Sequence, residues 1–350
     1  MQTEDPARAA RGPGGRRATL TAGGEQQRLT PIDGGRDDNF GTSVALDGDT
    51  ALVGAYAHDG GQERSGAVYA FSRTRGRWAL QHKLAPRVVR EHDSFGRVVS
   101  LSGNAAVIVG ALGNVYVFAR AGSVWMEQQK LVPDDGTGNP EEWRRLLWDS
   151  FGSSVAIDRD TVLVGASMAD DNGDNSGSAY VFMRGGAGWT EQQKLVPRDG
   201  GLGDSFGSEL SLSGDTALVG APLADDRGTN SGAVYVFTRG AAGWAEQQKL
   251  LASDGAEDDR FGKAVSLREG TGVVGAAVDD CGPGSGTAYV FREMGEVWTE
   301  QGKLLARGGA PDDFFGQSVS VGGDGILVGA PTPSRRDDAG SAYWFALTAE

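Results

Sequence analysis

One cysteine, Cys281, stands among 350 residues. No intramolecular disulfide can form, so packing and hydrogen bonds must hold the fold. Histidine is scarce as well. His58, His82 and His92 are the only three, none shares a motif with another, and no His/Cys cluster has metal-ligand spacing. The one Gly-x-Ser-x-Gly string, Gly203-Asp-Ser-Phe-Gly207, belongs to the Phe-Gly repeat and precedes no helix pattern, and no Walker A loop is present. No run of eighteen apolar residues exists, which argues against a membrane-spanning helix. Positive charge is in deficit: 33 Lys and Arg face 47 Asp and Glu, a net charge of −14. That balance argues against nucleic acid or an anionic membrane as the main partner. Residues 1–24 lack the apolar centre of a signal peptide and carry Arg8, Arg11, Arg16 and Arg17 among Gly, Ala and Pro. They read as a flexible tail ahead of one domain spanning 25–350.

What the chain has in excess is glycine, 56 residues, with no three-residue period. Turns are the expected reason. The glycines belong to a long repeat. A Phe-Gly pair recurs at Phe40, Phe95, Phe151, Phe206, Phe261 and Phe315, at spacings of 55, 56, 55, 55 and 54. About ten residues later comes Val-Gly-Ala, at Val53, Val109, Val164, Val219, Val274 and Val328. An aromatic segment of the type "AVYVF" follows, and then Trp with Gln-x-Lys-Leu behind Trp78, Trp125, Trp189, Trp244 and Trp298, reading Gln-Lys-Leu behind Trp125, Trp189 and Trp244.

Each unit reads as four short strands, A to D. "SVALDGDTALVGA" is two apolar runs around a Gly-Asp turn, a hairpin pattern. "SGAVYVFTR" is aromatic and alternating, as strands prefer, and "GWAEQQKLL" follows a glycine turn. Four strands at this period predict one propeller blade per repeat. The expected fold is therefore all-β: a six-bladed β-propeller with blades starting near 40, 95, 151, 206, 261 and 315. Seven blades is the alternative. The last unit lacks its Trp-containing strand, whereas "EQQRL" at 25–29 resembles that strand alone. An N-terminal strand completing the last blade would close the ring.

The full pattern Phe206-Gly207 with Gly220-Ala221-Pro222, and Phe315-Gly316 with Gly329-Ala330-Pro331, resembles the FG-GAP repeat of integrin alpha chains and bacterial integrin-like surface proteins. The resemblance covers 25–346. It implies a propeller used in adhesion and ligand binding, extracellular or at the cell surface, and it does not imply an enzyme. Two departures matter. Integrin propellers have seven blades. Their calcium sites lie in an Asp-rich loop between strands A and B, where this chain has only tight turns such as "LDGDT" at 46–50, too short to surround Ca²⁺ with six to eight oxygens. Those sites are not carried over.

Antiparallel order puts the AB and CD turns on one face, and the BC loops with the D-to-next-A connections on the other. The AB/CD face has short glycine turns and reads as structural. The BC/DA face is acidic. Its sharpest candidate is "ADDNGDNSG" at 169–177, where Asp170, Asp171, Asn172 and Asp174 offer hard oxygens for a metal, with Ca²⁺ as the candidate cofactor. The competing reading is turn formation and a solvated surface. An Asp also stands two before every Phe-Gly, at Asp38, Asp93, Asp149, Asp204, Asp259 and Asp313. Recurrence in all six units favours a structural task, such as accepting backbone N–H groups.

The repeat breaks at blade 2. "GALGNVYVF" is nine residues shorter than its counterpart in blade 4, and the following connection, 134–148, is nine longer. Within it "NPEEWRRLLW" carries a short-helix signature, with Asn139 as N-cap and Pro140 at N1. Its face packs down on blades 2 and 3, or else Trp143, Arg144 and Trp148 form a recognition patch. The leading expectation is a monomeric, non-catalytic propeller that binds a protein or glycan partner through its acidic loop face, with no nucleic acid and no membrane insertion. A carbohydrate-active enzyme, glycosidase or lyase, using carboxylates at the channel mouth is the alternative. A purely architectural module is a third.

Overall fold

The computed structural model describes residues 27–134, 149–278, 286–306, 313–331 and 341–347. Blade 1 holds β1 (Phe40–Asp47), β2 (Thr50–Ala55), β3 (Ala67–Thr74) and β4 (Arg77–Leu84). Blade 2 holds β5 (Val98–Ser102), β6 (Ala105–Val109), β7 (Val115–Ala121) and β8 (Val124–Leu131). Blade 3 holds β9 (Phe151–Asp158), β10 (Thr161–Ala166), β11 (Ser178–Gly185) and β12 (Gly188–Leu195). Blade 4 holds β13 (Glu209–Ser213), β14 (Thr216–Ala221), β15 (Ala233–Gly240) and β16 (Gly243–Leu250). Blade 5 holds β17 (Ala264–Arg268), β18 (Thr271–Ala276), β19 (Thr287–Met294) and β20 (Val297–Leu304). Blade 6 holds β21 (Ser318–Val321), β22 (Gly325–Ala330) and β23 (Ser341–Ala346). Five sheets of four strands and one of three, each in sequence order and antiparallel, make a six-bladed all-β propeller. No α-helix occurs among the described residues.

The recurring residues have specific tasks. In blade 4 the Phe206 ring meets Tyr235 edge-on at 5.4 Å and Phe237 at 5.9 Å. Every blade has the same trio, from Phe40 with Tyr69 and Phe71 to Phe315 with Tyr343 and Phe345. Edge-to-face pairs of this kind add to what simple burial provides. The two motif glycines meet across a blade boundary. A Cβ on Gly165 would overlap the carbonyl of Gly207, and one on Gly220 that of Gly262. Gly207 itself has φ +84, where a side chain is strained. Phe206 N donates to Ser176 O and Phe261 N to Ser231 O, both at 3.0 Å, tying each blade to the BC loop before it. Apolar clusters between successive blades then form the core, since one sheet cannot cover both its own faces.

The structure refines three expectations. The Phe-Gly pair opens strand A only in blades 1 and 3, and elsewhere β-pairing starts three residues later. Residues 25 and 26 of the expected closing strand lie outside the described residues, and 27–30 form no strand. Gln27 nonetheless occupies a fourth-strand place. Its amide donates to Trp78 O at 2.6 Å and accepts from Trp78 N at 2.8 Å. Gln129 holds Trp189 in the same way, and Gln193 holds Trp244. The third point concerns the ring. Val44 and Leu46 of β1 are 68% and 67% exposed, and Leu327 and Trp344 of blade 6 are 45% and 42% exposed. Their counterparts in blades 3 and 4, Val155, Ile157, Leu218 and Val236, are buried. Among the described residues the seam between blades 6 and 1 is therefore open, and β23 has no fourth neighbour.

Candidate ligand-binding face

On the BC/DA face most of the acidic side chains described are engaged with the protein itself. In blade 4, Tyr235 donates its hydroxyl to Asp199 at 2.9 Å. Lys249 bridges Asp199 and Asp226 at 3.1 and 2.7 Å, and its ammonium stands 5.0 Å from the Tyr235 ring centre. Burial works against the Lys249 charge, but the two carboxylates outweigh it and raise its pKa. Burial and then Asp199 raise that of Tyr235. Blade 5 repeats the arrangement with Tyr289, Asp254 and Lys303. In blade 1 it is Tyr69 and Lys83 on Asp33, both at 2.6 Å. The Lys83 bond, followed by that of Tyr69, brings the Asp33 carboxyl down to about 2. The lysine is the one in the recurring Gln-x-Lys-Leu. Its partner lies about fifty residues earlier, which is why residue counting in the sequence does not reveal the pairing.

The Asp two before Phe-Gly performs the expected structural task. Asp38, Asp204 and Asp259 accept the backbone N–H three residues earlier at 2.7, 2.7 and 2.6 Å, and Asp93 does so at 3.0 Å. These carboxylates pin the loop that enters strand A. Burial raises the pKa of Asp204.

The candidate cation loop, 169–177, is fastened in the same fashion. Asp170 accepts from Asn175 N at 2.7 Å, and Asp171 pairs with Lys194 at 2.8 Å. Asn172 donates its amide to Pro197 O at 2.8 Å. Blade 4 reproduces these contacts with Asp225 on Asn230 N and Asp226 on Lys249. Asp170, Asp171 and Asn172 thus point to separate partners, and no group of three or more His, Cys, Asp or Glu suited to a metal occurs among the described residues. Trp143, Arg144 and Trp148, with the expected helix around them, lie outside the described residues.

Two blades depart from the pattern. In blade 1, His58 takes the buried position held by Ala169 and Ala224 elsewhere, as its matching backbone bonds show. Its Nδ1 lies 2.7 Å from Asp38 Oδ2, and its Nε2 lies 2.7 Å from the Lys83 ammonium. A lone histidine gave no signal in the sequence. Blade 2 is altered more deeply. Its B and C strands are joined by 110–114 alone, so it has no BC-loop carboxylate. Val88 stands where Asp199 stands before blade 4, and Arg90 replaces Gly201. The alignment is fixed because Arg90 N bonds Asp93 as Gly201 N bonds Asp204. Burial, and then the Arg90 charge, lowers the pKa of Lys130. Burial pushes Tyr116 up to about 12.

A model of the FG-GAP repeat matches six stretches of the chain, 24–71, 78–124, 125–182, 189–237, 244–291 and 298–345. No curated protein matches. Among solved structures, the β-propeller domain of Myceliophteria thermophila Cps50 (Swd1) is similar with a TM-score of 0.55 and 11% identity, over 89% of this chain and 84% of that one. Saccharomyces cerevisiae Sqt1 is similar with a TM-score of 0.48 and 11% identity, over 89% and 83% of the two chains. At such identity the first likeness speaks for the fold alone.

Proposed function

The chain belongs to the FG-GAP repeat family, and from that premise we propose a non-catalytic, adhesion-type propeller that recognises a protein or glycan partner through its BC/DA loop face. In this reading it works as a monomer outside the cell or at its surface. The observation that carries the proposal is the break at blade 2. The other described Asp–Lys–Tyr groups repeat from blade to blade in the same bonds, and a group so repeated serves the fold. Blade 2 replaces the pattern with Val88, Arg90 and a deleted BC loop, next to the enlarged 134–148 connection. Departure from symmetry on a rigid frame is where a binding surface is expected. Trp143, Arg144 and Trp148 supply residue types favoured at binding hot spots. Recognition in this reading needs no metal, because Asp170, Asp171 and Asn172 already have protein partners.

The test replaces 134–148 with Arg-Asp-Gly-Gly-Leu-Gly, the equivalent connection before blade 4. Binding to arrays of glycans and surface proteins is then compared with the unaltered chain, with product analysis on the same polysaccharides. Binding lost while the melting temperature is kept, without turnover by either protein, is the expected result. Polysaccharide cleavage abolished by one Asp→Asn change would replace this reading with the carbohydrate-active enzyme.

A further inference from the structure

The AB/CD face has short glycine turns, yet one of them carries an unusual charge. In blade 3 the CD turn reads Arg184-Gly-Gly-Ala-Gly-Trp189, and in blade 1 it reads Arg73-Thr-Arg-Gly-Arg-Trp78. Both turns border a Gln–Trp clasp: at blade 3 the Gln belongs to β8 and blade 2 walls the groove with Val117, Phe118 and Ala119, whereas at blade 1 Gln27 makes the clasp beside the open seam. At blade 3 the groove is about 350 Å³ and its turn residues are Gly185, Gly186, Ala187 and Gly188. At blade 1 it is about 970 Å³ and is lined by Gln27, Arg73, Arg75, Gly76, Arg77 and Trp78. The larger volume lies within the range of ligand pockets.

The three arginines differ in role. Arg73 belongs to the repeat. It donates to Asp49 at 2.8 Å and lies over the Trp78 ring at 5.3 Å, as Arg239 pairs with Asp215 and covers Trp244 at 5.7 Å. Arg75 and Arg77 are additions. Both are exposed, and neither makes an ion pair among the described residues. Position 77 flanks the Gln27 clasp directly. At the equivalent Gly188 an added Cβ would come 2.6 Å from the Gln129 amide oxygen. Trp78 is half-buried, whereas Trp189 and Trp244 are 5% and 6% exposed.

We propose that this groove binds an acidic saccharide, with Arg75 and Arg77 holding its carboxylate or sulfate and Trp78 stacking on the adjoining sugar face. Guanidinium forks match planar and tetrahedral oxyanions with paired hydrogen bonds. The indole offers an amphipathic platform. A net charge of −14 opposes long polyanions such as nucleic acid, so the groove favours a short anionic ligand engaged locally. This second surface lies on the face opposite the blade 2 loops and is independent of the function proposed above.

The double variant Arg75→Gly/Arg77→Gly puts at these two positions the glycines that stand at Gly186 and Gly188 in blade 3. Calorimetric titration is run with an oligogalacturonate, a sulfated oligosaccharide, a neutral oligosaccharide of equal length and a short polyphosphate. The unaltered chain is expected to bind the two acidic saccharides at least tenfold more tightly than the neutral one and the polyphosphate. The double variant should lose that binding at least tenfold with its melting temperature kept. Arg75→Lys/Arg77→Lys, which keeps the charge and removes the forks, should lose several-fold. Undiminished binding by the Gly variant overturns the proposal. So does polyphosphate binding as tight as that of the saccharides, which marks a general polyanion surface. Equal binding of the neutral sugar overturns it as well.

Discussion

Glu209 offers a direct test of how the blades are joined. The third residue after the motif Phe faces the next blade. At Ser43 and Ser154 its hydroxyl donates to the carbonyl of Gly96 and Gly207, at 2.9 and 2.8 Å. Blade 4 has Glu209 at this position, and the corresponding carbonyl belongs to Gly262, which a Cβ on Gly220 would overlap. An ionised carboxylate cannot donate to a carbonyl, but a protonated one can. Burial raises the Glu209 pKa to about 7, with nearby Lys263 pulling the other way. In the unfolded chain the same group titrates near 4.5. Between these values the folded form holds a proton that the unfolded form has lost. Stability therefore falls as pH rises from about 4.5 to about 7, then levels off. The full interval corresponds to roughly 3 kcal/mol. Because water reaches part of the residue, on the order of 1–3 kcal/mol is expected. Glu209→Gln keeps a donor and removes the titration. Melting curves at constant ionic strength from pH 4.5 to 8.5 should show the two proteins close together at the acid end. The Gln variant should pull ahead by a few degrees above pH 7. A gap between the two that does not change with pH would refute the reasoning.

Two other perturbations follow from the same geometry. Gly165→Ala places a methyl group against the Gly207 backbone carbonyl, which cannot move without parting blades 3 and 4. A loss on the order of 3 kcal/mol or more, read by thermal or urea unfolding, is expected; a loss under about 0.5 kcal/mol would remove close inter-blade contact as the reason for the motif glycine. For the acidic loops, melting in EDTA and in millimolar Ca²⁺ should agree within experimental scatter. A ligand at about a hundred times its dissociation constant would add about 2.7 kcal/mol, so a shift of several degrees would contradict the account of Asp170, Asp171 and Asn172 as loop fasteners.

Much of the fold was legible because its signals are local and repeated. A Phe-Gly pair, a Val-Gly-Ala run and an aromatic strand come back at one interval, and the number of blades follows from counting them. Neither the pairing of motif glycines across a blade boundary nor the start of strand A can be read that way. Both depend on what the next blade presents, as Gly207 does to Gly165. The loop chemistry was misleading for a related reason. Asp199 and Asp226 look like surplus charge beside Gly and Asn, but Lys249 pairs with both from 50 and 23 residues away and offsets part of it. Charge counted along a chain overstates the potential of a face whenever a recurrent cation lies on a neighbouring strand.

The same consideration locates the sites worth testing. A propeller assembled from copies satisfies its polar groups by copied bonds, and a residue that follows the copy has its task assigned. Arg73 lies over Trp78 as Arg239 lies over Trp244, so Arg73 alone says nothing about a ligand. Arg75 and Arg77 have no counterparts among Gly186, Ala187 and Gly188, and they stand at the groove beside Gln27, where the regular wall of a preceding blade is replaced by the open seam. Val88 and Arg90 likewise replace an Asp and a Gly that fasten blade 4. Such substitutions forgo a bond or a turn residue that the fold uses elsewhere. The two blades that tolerate them are adjacent, and their altered residues lie on opposite faces of the disc. If both surfaces bind, the chain can hold two different ligands at once, one on each side of the same pair of blades.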